Sequence, residues 1–86
     1  MKVFEVKIPL LDELTQEATI NQWFKHQGQY VDQGEILCEV ETDKINFEIL
    51  AEVSGRLRIL VEEGETVQVG ANIAQIIFEK TIIYEK

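Results

Sequence analysis

The sequence predicts an all-β domain: a flattened β-barrel or sandwich of two four-stranded sheets related by pseudo-twofold symmetry. Two observations carry this. Apolar and polar residues alternate with a period of two through much of the chain, the pattern of half-buried strands. The chain also repeats itself at an offset of 36 residues: Gly28 falls on Gly64, Val31 on Val67, Gly34 on Gly70, Leu37 on Ile73, Cys38 on Ala74 and Val40 on Ile76. Just upstream, Trp23-Phe24 falls on Ile59-Leu60. Two copies are too few for a solenoid, so the repeat reads as a duplicated β-unit whose two apolar faces pack on each other.

The elements follow in order. Phe4, Val6 and Ile8 share one face of a first strand, with Glu5 and Lys7 on the other. Leu10, Leu14 and Ala18 have helical spacing, but Pro9 and the acidic, Gln-rich filling favour a surface loop. In each copy a strand is expected to end at Gly28 or Gly64, and Gly34 or Gly70 then reverses the chain, with positive φ at Gly34 and Gly70. Cys38, Val40 and Thr42 alternate with Glu39, Glu41 and Asp43; Ile45, Phe47 and Ile49 alternate with Asn46, Glu48 and Leu50. Leu57, Ile59 and Val61 alternate with Arg56, Arg58 and Leu60. About eight short strands result.

Composition narrows the function. The chain has 86 residues, enough for one domain, with 45% hydrophobic and 28% charged residues, which suits a folded core rather than disorder. Sixteen acidic residues against eight basic ones give a formal charge of −8. That balance argues against nucleic acid and against anionic membrane surfaces, and favours partners with basic docking faces. One cysteine and one histidine, Cys38 and His26, leave no disulfide and no zinc-type ligand set. Cys38 reads as a buried, inert thiol and His26 as a solvated turn residue. Of Trp23 and Phe24, adjacent on a strand, one faces inward and one outward. No apolar run is long enough to span a bilayer, and Glu5 stands where a signal peptide would be apolar, so an intracellular, reducing compartment is expected. With no nucleophile–base pairing and no Gly-rich phosphate loop, independent enzymatic chemistry is not expected.

The informative place is the junction between the copies. Val40-Glu41-Thr42 runs outward and Ile45-Asn46-Phe47 runs back, so Asp43-Lys44 is the tip of a tight hairpin. Lys44 should project from it into water, with no neighbour able to bury it. A lysine at a hairpin tip is ordinarily a solubilising residue. Here it stands alone among Glu39, Glu41, Asp43 and Glu48. Those carboxylates are most simply a solvated face; a weaker reading has them orient the tip toward basic partner surfaces.

Glu41-Thr42-Asp43-Lys44-Ile45 resembles the modification motif of lipoyl domains, the swinging-arm domains at the N-terminal end of the dihydrolipoamide acyltransferase component of 2-oxo acid dehydrogenase complexes. The resemblance runs from about Val3 to Glu79. Pro9 matches the proline that ends the family's first strand. Gly28 lies 16 residues before Lys44 and Gly55 lies 11 after it, as in the family pattern. Val53-Ser54-Gly55-Arg56-Leu57, Glu63-Gly64-Glu65-Thr66-Val67 and Val69-Gly70 match the second half.

The resemblance implies that Lys44 is amide-linked to lipoic acid by a lipoate-attaching enzyme, which reads Glu41, Thr42, Asp43 and Ile45 as flanks. It implies a thiamine-diphosphate-dependent decarboxylase component, an acyltransferase core and dihydrolipoamide dehydrogenase as partners, and no catalysis by the domain itself. It places the carrier domain at residues 1–80, with 81–86 a tail or strand extension, in the cytoplasm or, for a mature eukaryotic domain, the mitochondrial matrix. The loop Pro9-Leu10-Leu11-Asp12-Glu13, followed by Glu17-Ala18, lacks two glycines of the family pattern. In the family that loop lies near the lipoyl-lysine and helps the decarboxylase tell its own domain from others. The sequence therefore leaves open whether the cognate complex is of the pyruvate, 2-oxoglutarate, branched-chain or acetoin type. A biotin carrier has the same fold, but its lysine usually lies between methionines, whereas Asp43 and Ile45 flank this one. An unmodified binding module needs no lysine at the tip, and the carrier of glycine cleavage is usually longer.

Overall fold

Much of the chain buries the face that its alternation marks; the strands Ile36–Glu41 and Asn72–Phe78 are the exceptions. The computed structural model describes residues 1–79. Eight strands follow one another: β1 (Lys2–Lys7), β2 (Glu17–Trp23), β3 (Tyr30–Val31), β4 (Ile36–Glu41), β5 (Asn46–Leu50), β6 (Gly55–Ile59), β7 (Thr66–Gln68) and β8 (Asn72–Phe78). They form two four-stranded antiparallel sheets, ordered β1-β8-β6-β3 and β5-β4-β2-β7. The sheets do not close on each other, so the architecture is a sandwich rather than a barrel. Residues 81–86, expected as a tail or strand extension, lie outside the described residues.

The two sheet orders are one order written twice. Exchanging β1 with β5, β8 with β4, β6 with β2 and β3 with β7 turns one sheet into the other. The turns obey the same exchange. His26 N donates to Gln29 Oε1 at 2.9 Å, and 36 residues on Glu62 N donates to Glu65 Oε1 at 2.8 Å. Gly34 N donates to Ala51 O and Gly70 N to Ile8 O, at 2.7 and 2.8 Å. The offset slips in one place. Gly28 N meets Leu57 O while Gly64 N meets Ile20 O, so Leu57 answers Ile20 at an offset of 37. The extra residue of the first copy is absorbed where β2 shifts register against β4, between Ile20 and Gln22.

Strand ends differ from expectation. β2 and β6 end at Trp23 and Ile59, and Gly28 and Gly64 lie in the turns beyond them. Alternation also fails in β4, where Leu37, Cys38 and Val40 are all fully buried. A register shift between Ile36 and Cys38 against β5 lets two neighbours face inward. Ile20, Leu37, Leu57, Ile73 and Ile76, each at most 1% exposed, fill the space between the sheets. Burying one such side chain contributes about 1.5–3 kcal/mol. Cys38 lies among them, and burial pushes its thiol up to about 12, which keeps it protonated and inert at neutral pH. Trp23 packs against this core and donates from Nε1 to Val61 O at 2.9 Å, whereas Phe24 is exposed.

Gly34 and Gly70 have φ of +93° and +90°, and a methyl group added at either would meet nothing within 4 Å. Only backbone strain penalises a side chain there. Gly34→Ala and Gly70→Ala are each expected to cost about 1–2 kcal/mol. Thermal or urea unfolding measures this, and wild-type stability in both variants contradicts the duplicated-turn geometry.

Candidate functional site

β4 and β5 are paired from Ile36↔Leu50 to Glu41↔Asn46, so they form a stiff two-stranded arm at one edge of their sheet. Val40, opposite Phe47, is fully buried, and Phe47 packs on the core. The arm is thus anchored in the sandwich, and only residues 42–45 extend beyond the ladder. Asp43-Lys44 is the tip, as the sequence indicates.

No non-glycine residue among those described has positive φ, so the tip is not the mirror-image turn that Asn-Gly hairpins use. Thr42 holds it together instead. Its backbone N–H donates to Ile45 O at 2.8 Å, and its Oγ1 accepts the N–H groups of Lys44 and Ile45 at 3.2 and 3.1 Å. The same hydroxyl lies 3.1 Å from Ile45 O, to which it donates. One short side chain therefore takes two backbone donors of a turn that has no glycine. Ile45 is 49% exposed, in contrast to the inward face suggested by its alternation with Phe47 and Ile49. It belongs to the tip rather than to β5, so strand alternation does not apply to it.

Lys44 is exposed, but it is not without neighbours. Its Nζ lies 3.4 Å from Oδ2 of Asp12, in the loop between β1 and β2. No neighbour buries the side chain, but it has this one charged partner, which the sequence does not indicate. Asp12 is itself fixed: its Oδ1 accepts the backbone N–H groups of Leu14 at 2.8 Å and Thr15 at 2.7 Å. These bonds, Thr15 first and then Leu14, with a smaller share from Lys44, lower the Asp12 carboxyl to about 2. It is fully ionised at neutral pH. The loop forms no helix, and Leu10 and Leu14 stand 80% and 77% exposed on it.

The other candidates take different places. Glu41 closes β4 and Asp43 is at the tip, while Glu39 and Glu48 sit opposite each other on β4 and β5. His26 is exposed at a turn. Among the described residues no three His, Cys, Asp or Glu side chains form a metal-ligating group. The arrangement offers one chemical feature: an exposed primary amine at the apex of a two-stranded hairpin.

The biotin/lipoyl family model, described as that of biotin-requiring enzymes, matches residues 4–76. The chain belongs to the biotin/lipoyl attachment family. Within it, the chain is similar to the dihydrolipoyllysine-residue succinyltransferase component of the 2-oxoglutarate dehydrogenase complex of Bacillus subtilis, 53% identical over 84% of this chain and 18% of that protein. It is also 47% identical to the dihydrolipoyllysine-residue acetyltransferase component of the pyruvate dehydrogenase complex of Corynebacterium glutamicum, over 84% of this chain and 11% of that one. The chain thus spans less than a fifth of the length of these relatives.

Among solved structures, the lipoyl domain of the 2-oxoglutarate dehydrogenase complex of Azotobacter vinelandii superposes with a TM-score of 0.74 at 31% identity. The match covers 88% of this chain and 98% of that domain, so the chain holds a whole lipoyl domain. A lipoyl domain is an attachment module, not the acyltransferase that the relatives' names describe. No helix among the described residues is long and apolar enough to cross a membrane.

Proposed function

We propose that Lys44 is the lipoyl attachment residue and that this lipoyl domain is the swinging arm of a 2-oxo acid dehydrogenase complex of the 2-oxoglutarate type. The observation that carries the reading is the exposed Lys44 amine at the apex of a hairpin clamped by Thr42. An amide to lipoic acid needs such an amine and an activated lipoyl donor, and the exposed tip leaves the amine accessible. The lipoyl group, once bound to Lys44, would supply a dithiolane able to accept an acyl group reductively and to give it up to coenzyme A.

The chain's own residues do the rest. β4 and β5 give the lysine a fixed origin, so each partner meets it in the same pose. Thr42 sets the direction in which the backbone presents it. Glu41, Thr42, Asp43 and Ile45 are the surface that a lipoate-attaching enzyme touches around the amine. Amide formation removes the lysine's positive charge and leaves the tip more acidic. That charge suits basic rims on the decarboxylase, acyltransferase and dihydrolipoamide dehydrogenase components, which we infer as partners. Tethering the group to a domain held near them raises its effective concentration at each active site. The relatives named here are bacterial, and a cytoplasmic location is part of this proposal.

The assignment of the complex rests on the relatives, and kinetics test it. The lipoylated domain is offered to the 2-oxoglutarate-decarboxylating and the pyruvate-decarboxylating components, each with its own substrate, and its mass is followed. Faster gain of a succinyl than of an acetyl increment is expected. Acetylation alone moves the domain to a pyruvate complex. Neither increment, with a reference lipoyl domain acylated in parallel, rejects the swinging-arm role.

A further inference from the structure

We propose that Asp12 tethers the side chain of unmodified Lys44 to the β1–β2 loop, and that acylation of the lysine releases it. The proposal rests on Lys44 being the acylated residue. Asp12 is in place before it meets the lysine. Its Oδ1 is engaged by the N–H groups of Leu14 and Thr15, which leaves Oδ2 for the ammonium at 3.4 Å. Thr15 is only 7% exposed, so one of the two residues that hold the carboxylate is itself buried. Lysine, with its long flexible stem, is the moving partner. Asp43 and Glu41 are nearer in sequence, yet among the described residues Asp12 is the carboxylate that pairs with Lys44.

Acylation ends this pairing. The ammonium gives a proton to solvent, and the nitrogen lone pair attacks the carbonyl carbon of an activated acyl donor. The donor's leaving group departs with the bonding electrons, and the nitrogen gives up a second proton to solvent. The product is a neutral amide, so the charge attraction to Asp12 is gone. Asp12 keeps its two backbone bonds and its charge, and the loop keeps its shape. The tether therefore acts on the unmodified lysine and not on the finished arm: one is stowed against the loop, the other is free to swing. The pair is exposed, so the bias is modest and sensitive to salt.

Chemical labelling tests this without an enzyme. The intact domain is treated with the N-hydroxysuccinimide ester of acetic acid, and peptide mass mapping gives the rate at Lys44, with exposed Lys2 and Lys7 as internal references. Asp12→Asn keeps an Oδ1 acceptor for Leu14 and Thr15 and removes the charge. Glu13→Gln makes the same charge change one residue on. Lys44 is expected to label roughly two- to four-fold faster in Asp12→Asn at low salt, the worth of one exposed ion pair. The difference should close near 1 M salt, where the screening length falls to about 3 Å. Glu13→Gln should match the wild type. An unchanged rate in Asp12→Asn, an equal rise in Glu13→Gln, or a rise that salt leaves intact overturns the tether. Because the reagent needs no recognition, a failed tether leaves the lipoyl assignment standing, and a failed lipoylation leaves the labelling result readable.

Discussion

Replacing Lys44 with Arg will abolish lipoylation while leaving the melting temperature at its wild-type value. A guanidinium stays protonated and does not form the acyl amide, so the expected loss of modification is complete. Nothing in the fold depends on the amine. The side chain is half exposed, its one ionic contact is to Asp12 on the surface, and Arg can keep that contact. The hydrogen bonds that shape the tip come from Thr42 and from the Lys44 backbone, which Arg also has. A surface substitution of this kind shifts stability by no more than about 0.5 kcal/mol. Intact mass and a thermal melt on one preparation check both halves. A drop of many degrees means the side chain supports the fold, and residual modification means another lysine is the acceptor.

Gly55→Ala will destabilise the domain more than Gly34→Ala or Gly70→Ala. Gly55 opens β6, lies across from Val31 of β3, and is buried. A Cβ there would collide with the carbonyl oxygen of Ile77, and would sit 2.9 Å from Ile76 Cγ2 and 3.0 Å from Ile77 C. The obstacle is mainly backbone, and the β6–β8 ladder pairs Arg56 with Ile77 and Leu57 with Ile76, so neither strand can step aside alone. We expect a loss of about 3 kcal/mol, the upper part of the overpacking range. For a domain of this size that lowers the melting temperature by roughly 12 °C or more. Wild-type stability in Gly55→Ala would mean that β6 and β8 are not packed this closely.

Gly55 also shows how far the sequence could be read. Its place in the family pattern marks it, but its reason, a strand crossing close behind it, is visible only in three dimensions. Gly34 and Gly70 are different: the repeat alone assigned them to equivalent turns with positive φ, because a turn is a local matter. The hairpin and its lysine were legible for the same reason. Two alternating runs, separated by two polar residues, leave the chain little choice. Alternation misled at the hairpin tip, where it placed Ile45 inward although β5 begins only at Asn46. It missed the paired burial of Leu37 and Cys38, where β4 shifts register against β5. It also gave no sign of the slip in β2 that moves the partner of Ile20 from an offset of 36 to 37. The Asp12–Lys44 contact was out of reach. The Asp-x-x-Thr spacing at residues 12–15 hints at a local turn, but nothing local brings that turn to a hairpin 32 residues away.

The central claim is that this hairpin exists to present one modified amine. Intact mass with peptide mapping, after expression in a host supplied with both lipoate and biotin, tests it most directly. The account predicts a single lipoyl increment, located on Lys44. A biotin increment would place the domain among biotin carriers. No increment in the folded protein, with a reference lipoyl domain modified in the same host, would contradict the account and leave an unmodified binding module in its place.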